Sequence, residues 1–181
     1  MFSKFVGSFS LVVASVVLVV GSPTIAGQKD GKKNGCDSVS GTLTSFVVPI
    51  GGSLSDGTAC AAAAGLFCTT GVSAGDIKGI FDFTARTFDP LANPDFGETG
   101  VGFFTGDLVL RMKDGDLVFK DAGAFDAIPG SRGDFASVLT VVEGTEALAG
   151  ATGRLRDEGV FIDGCVDCTY RGEICRPRRQ D

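Results

Sequence analysis

Carboxylates, six cysteines and a single tyrosine are the chemically capable groups of this chain, because it contains no histidine. That absence removes the Ser-His-Asp triad, the Cys-His nucleophile, the His-ligated metal and the one side chain that ordinarily titrates near neutrality. What is left is a carboxyl placed where its chemistry changes. Leu117, Phe119, Asp121, Gly123 and Phe125 alternate at period two and so share one face of a strand. If that face turns inward, Asp121 sits among aromatic rings, and burial raises its pKa unless an arginine compensates. Phe81 and Phe83 belong to a second such face, and Tyr170, the only phenol, to a third strand. Phe81, Phe83, Phe119, Asp121, Phe125 and Tyr170 are therefore the candidate lining of a ligand site, although Tyr170 also reads as a packing residue with a bonded hydroxyl. Asp82 shares a face with Arg86, and Asp107 with Arg111, which is the pattern of solvated salt bridges. Glu143 and Glu158 are weaker candidates. With 22 acids in the chain, paired carboxylates arise by accident, so they do not point to a glycosidase, and no catalytic residue is assigned.

The cysteines report on the compartment. Cys36, Cys60, Cys68, Cys165, Cys168 and Cys175 form an even set, which in an exported chain predicts three disulfides with all pairings open. Cys60 and Cys68 bracket a short loop, and the two ends of a closed sheet would bring Cys36 near the Cys165 to Cys175 cluster. Cys165-Val166-Asp167-Cys168 also has the CxxC spacing of redox enzymes, but a turn at Asp163-Gly164 precedes it and an alternating strand follows, where a helix start is needed to depress the thiol pKa. Zinc would need four ligands without histidine. The reading is no metal and no cofactor.

The elements that position these groups are strands. Period-two alternation recurs along the chain and the 3.6-residue pattern of an amphipathic helix is nearly missing. Strands are expected over 40–48, 66–70, 76–88, 103–112, 117–127, 135–142, 154–162 and 169–174, with a hairpin at Lys113-Asp114-Gly115-Asp116 and a loop over 90–100. Glycine at 27 of 181 positions fits many turns. Eight strands with apolar residues on both faces of several predict an all-β fold, a single eight-stranded antiparallel β-barrel stabilised by disulfides, with a sandwich as the alternative.

Residues 1–26 read as a signal peptide. Lys4 precedes an apolar run over 5–20 that is short for a bilayer span, Pro23 breaks it, and Thr24-Ile25-Ala26 supplies small residues for cleavage. Residues 27–38 form a polar lead-in, 39–176 the barrel domain and 177–181 a basic tail. The protein is expected to be secreted or periplasmic, with no membrane attachment after cleavage. A net charge of -6 and a pI near 4.6 exclude nucleic acid as a partner and disfavour anionic lipid.

Between the last long strands stands Gly144-Thr145-Glu146-Ala147-Leu148-Ala149-Gly150-Ala151-Thr152-Gly153, after the earlier Phe104-Thr105-Gly106-Asp107-Leu108. The carboxy-terminal half thereby resembles the allene oxide cyclase barrel superfamily, which includes the plant dirigent proteins and carries a Gly-Thr-Gly-x-Phe-x-Gly-Ala-x-Gly turn. Glu146 replaces the second glycine of that turn and Leu148 its aromatic residue. The resemblance implies an apolar central cavity, often in a homo-oligomer, that cyclises an unstable epoxide or steers the coupling of bound radicals. From the residues alone, Gly144, Gly150 and Gly153 permit positive φ or close approach at a barrel corner, and Thr145 can cap a short helical turn. Three functions follow: a barrel that binds a small apolar ligand, a dirigent-like or cyclase-like enzyme, and a structural or surface-interaction protein whose interior is filled.

Overall fold

The computed structural model describes residues 35–90, 100–128 and 132–176. The segment expected to be a signal peptide, residues 27–34 of the expected lead-in, most of the 90–100 loop and the basic tail lie outside them, while residues 36–38, expected in the lead-in, belong to the first strand. Alternation of apolar and polar residues produces eight strands: β1 (Cys36–Val48), β2 (Cys68–Gly75), β3 (Gly79–Pro90), β4 (Gly100–Met112), β5 (Gly115–Ile128), β6 (Arg132–Gly144), β7 (Thr152–Ile162) and β8 (Cys165–Cys175). Each pairs antiparallel with the next, and β8 pairs with β1 over the register Cys36↔Cys175 to Phe46↔Cys165, so the sheet closes and no edge strand is left. The barrel expectation holds and the sandwich does not. Among the described residues no helix is long and apolar enough to cross a membrane.

Connections are short where turn chemistry is strong. β4 turns into β5 through Lys113-Asp114, with Met112 opposite Gly115 at φ +124°. The longest described connection, over 49–67, is folded rather than loose. It carries its own apolar cluster of Val48, Cys60, Ala62 and Cys68, and a network clamps it to the outside of the sheet. Ser55 donates from its backbone N–H (3.0 Å) and hydroxyl (2.5 Å) to Asp82, Arg111 bonds the same carboxylate, and Arg111 Nη2 reaches Asp56 at 2.6 Å. Burial works against the Asp82 charge, but hydrogen bonds from Ser55, Thr70 and Arg111 outweigh it and hold the carboxyl below its usual range. The salt bridges foreseen within strands are thus made between them: Asp82 with Arg111, and Asp107 with Arg86 (2.8 Å) and Lys120 (2.5 Å).

The interior divides by height. At the end where β1 begins and β8 finishes, apolar side chains fill the barrel, among them Leu110, Leu117, Leu139, Val141, Leu155 and Ile174. Leu148, on a single 3-10 turn over Glu146–Leu148, packs in this layer and is 2% exposed. Thr145 does not cap that turn through its side chain; its hydroxyl accepts a bond from the Asp116 N–H (2.8 Å) and ties the corner to the neighbouring hairpin. Of the corner glycines, Gly150 takes φ +77°, while Gly153 is needed for close approach: a Cβ there would lie 2.3 Å from the Glu173 carbonyl oxygen. Gly153→Val is expected to destabilise the fold by about 1 to 3 kcal/mol, measured by denaturant unfolding. An unchanged midpoint would mean that the β7–β8 seam yields there at no cost.

Two disulfides form, Cys36–Cys175 and Cys60–Cys68, and the expected third does not. Cys165 and Cys168 are three residues apart on β8, so parity sends them to opposite faces. Cys165 is exposed, whereas Cys168 is buried inside the barrel, where burial and then the Asp157 carboxylate raise its thiol pKa. That geometry excludes a CxxC redox pair. Thiol labelling of unreduced protein should modify one cysteine per native chain and two after denaturation; no labelling in either state would show that the two are bridged.

Candidate functional site

Four strands bring polar groups to the middle of the barrel because each interrupts an apolar inner face with one of them. On β5 the interruption is Asp121 between Phe119 and Phe125; on β6 it is Ser137 between Phe135 and Leu139; on β7 it is Asp157 between Leu155 and Phe161. On β8 Cys168 lies beside Tyr170. Asp121 and Asp157 are each only 6% exposed. Register places Ser137 opposite Asp157. The Ser137 hydroxyl donates to Asp157 Oδ1. Burial, reinforced by the Asp157 carboxylate, pushes the Asp121 pKa up to about 7. Burial also raises that of Asp157, with the Ser137 bond opposing it. Two acids that share a dry site hold protons more tightly than either would in water.

Above these acids, toward the end where β1 leads into the 49–67 connection, lies a cavity of about 370 Å3. Asp121, Asp157, Ser45, Thr69, Thr87 and Cys168 are its polar lining, and eight of its lining residues are phenylalanines. Seven of these rings form a chain of neighbours, Phe88 to Phe125 to Phe161 to Phe67 to Phe83 to Phe104 to Phe135, with centroids 6.0–6.5 Å apart and mostly edge-on. Edge-to-face packing suits the ring quadrupole. Glycines make room for it: a Cβ on Gly106 would lie 2.1 Å from the Phe83 ring, and one on Gly133 would lie 2.2 Å from Phe125. Leu66 and Phe67 come from the 49–67 connection, so the Cys60–Cys68 disulfide sits next to the cavity wall. Two buried polar atoms, Asp121 Oδ1 and Ser45 Oγ, have no hydrogen-bond partner, and both residues line this cavity. Native interiors seldom leave such atoms orphaned.

Of the residues singled out in the sequence, Phe81, Phe83, Asp121 and Phe125 line the cavity. Phe119, 1% exposed, is packed in the filled layer instead. Tyr170 does not line it either. Its ring crosses over Gly41, whose Cβ would meet the hydroxyl at 2.4 Å, and the hydroxyl accepts from the Ile77 N–H at 3.0 Å and faces the Ala74 and Ile77 carbonyls at 3.1 and 3.2 Å. It is a strut between β8 and the β2–β3 turn. Glu143 and Glu158 are exposed on the outer surface. Asp157 and Ser137 escaped notice, although Leu155-Asp157-Gly159-Phe161 carries the same inward alternation that exposed Asp121. The disulfide set reduces to Cys36, Cys175, Cys60 and Cys68.

No protein family, curated protein or solved structure matches this chain in sequence or fold comparison. Function has to be argued from the site itself.

Proposed function

We propose that this chain is an exported barrel that binds a small, mostly apolar ligand in its central cavity, with the ligand's polar end at Asp121. The orphaned Asp121 oxygen carries the reading. A carboxyl buried in a phenylalanine-lined cavity with one oxygen unbonded is costly in a purely structural protein and useful in one whose ligand supplies the missing partner. A cavity of about 370 Å3 falls at the lower end of the range for small-molecule sites, which favours a ligand over a merely filled interior. The two disulfides and the apolar leader support export. The resemblance of the 144–153 corner to the allene oxide cyclase barrel group supports the same architecture for the cavity.

One observation favours enzymatic turnover as a second reading. A carboxyl with a pKa of about 7 beside a second acid can give or take a proton at neutral pH, which a cyclase-like or dirigent-like protein acting on a reactive intermediate would use. Native mass spectrometry of the purified protein tests the first reading: a bound small molecule is expected, and it should be lost from Val166→Trp, which fills the cavity wall. An adduct that survives this substitution, or failure of every apolar probe to bind, would overturn it. Conversion of the co-purified compound into a released product would establish the second.

A further inference from the structure

The charge inside the cavity is one-sided. Asp121 and Asp157 both line it, and no lysine or arginine does among the described residues. The cations next to these acids in sequence or register, Lys120 beside Asp121, and Arg156 and Arg171 at Asp157 and its partner Tyr170, are turned by strand parity to the outer side of the sheet, where Lys120 binds Asp107. Ser137 satisfies one Asp157 oxygen, but nothing satisfies Asp121 Oδ1. The wall facing these acids is aromatic, and the face of a benzene ring attracts cations and repels anions. A ligand carboxylate would therefore meet two carboxyls with no cation beside them, and any phenylalanine that presents its ring face would disfavour it further. A neutral hydroxyl would satisfy the orphaned oxygen and leave the charge unanswered. A metal ion fits poorly, since no third acidic or thiol group closes a compact donor cluster with this pair among the described residues.

We infer that the ligand is a cationic amphiphile: a protonated or quaternary amine head at Asp121 and Asp157, with a compact apolar body among the phenylalanines. This deepens the ligand-binding reading and rests on it. The head group contributes charge pairing in a dry site, where Coulomb attraction is far stronger than in water, and cation–π contact with rings already held in place. Of the polar groups at the cavity, Ser45 Oγ, with no partner of its own, stands ready to bond a hydroxyl or ether on the same ligand.

The test compares three eight-carbon probes that differ only in the head group, octylamine, octanol and octanoate, by calorimetry on the disulfide-intact protein at pH 8. Octylamine should bind at least tenfold more tightly than octanol, and octanoate should bind worst. The preference for octylamine over octanol should fall at least threefold in Asp121→Asn and to about one when Asp157→Asn is added. Equal binding of octylamine and octanol, or tightest binding of octanoate, overturns the cationic ligand and leaves the apolar site standing. Retention of the full preference in Asp121→Asn overturns the placement of the head. Failure of all three probes to bind at millimolar concentration overturns the cavity reading together with the inference.

Discussion

Raising the pH from 5 to 8 is expected to destabilise the ligand-free barrel, which is the reverse of ordinary acid denaturation. Asp121 has a folded pKa of about 7 against an ordinary value of 3.8, so the native state keeps a proton that the unfolded chain has released. Its contribution to stability is therefore fully present below the unfolded value and is lost as the pH climbs through the folded one. Each pKa unit is worth about 1.4 kcal/mol, so a rise from 3.8 to about 7 corresponds to a loss of roughly 4 kcal/mol, spread over pH 4 to 7 and then levelling off. Asp157 is shifted in the same direction and adds to it. Asp82 and Asp107 oppose it at the acid end: their pKa values are depressed, so their contribution is present above the unfolded value and disappears as the pH falls through the folded one. The two sets together place maximum stability near pH 4–5. Asp121→Leu removes the cost of charging this carboxyl in a dry site, and stability at pH 8 should rise by roughly 2–4 kcal/mol while a ligand with a polar head is held less well. Denaturant unfolding of both proteins across pH 4 to 8 checks this. Identical flat profiles would place Asp121 in water.

The two disulfides should separate stability from binding. Cys36–Cys175 joins residues 139 apart, whereas Cys60–Cys68 joins residues 8 apart. In the chain-entropy model the first contributes about 5 kcal/mol and the second about 2.5. Replacing Cys36 and Cys175 by serine should lower stability about twice as much as replacing Cys60 and Cys68. Ligand affinity should respond in the opposite order. The long-range bridge lies at the filled end, beside a β1–β8 seam that eleven residue pairs already hold, whereas the short one fixes the segment that presents Leu66 and Phe67 to the cavity. Equal affinity losses in the two double variants would detach the 49–67 connection from the site.

Strand pattern was the readable part of this chain, and β2 shows where it failed. It was expected over 66–70 and runs instead over Cys68–Gly75. Its second half, Gly71-Val72-Ser73-Ala74-Gly75, resembles a turn by composition. It is a strand because small inward residues are what fits there: Gly71 faces Ser45 and Phe81 in register, and a Cβ on it would come within 2.5 Å of the Ser45 side chain. Asp121 was legible because it interrupts a run of large apolar residues. Asp157 carried a similar signal on a strand with more charges, where Arg154, Arg156 and Glu158 on the outer face masked it. The clamp on the 49–67 connection had no signal at all, since Asp82, Arg111, Ser55 and Asp56 meet only through folding. Cysteine parity in the count suggested a third bridge, and strand parity at Cys165 and Cys168 decided against it.

The Cys36–Cys175 bridge also changes what kind of object the barrel is. Because β1 and β8 are hydrogen-bonded neighbours and their outer ends are joined through sulfur, the described chain is a covalent ring of eight strands. Tension applied to anything attached outside that bridge runs through the sulfur bond and bypasses the sheet, so mechanical load does not unzip the seam. The ring can also be cut elsewhere, for instance at the Asp163-Gly164 turn, without separating it into two pieces. The attachment points project from the filled end, so a surface or carrier coupled there leaves the phenylalanine end facing away.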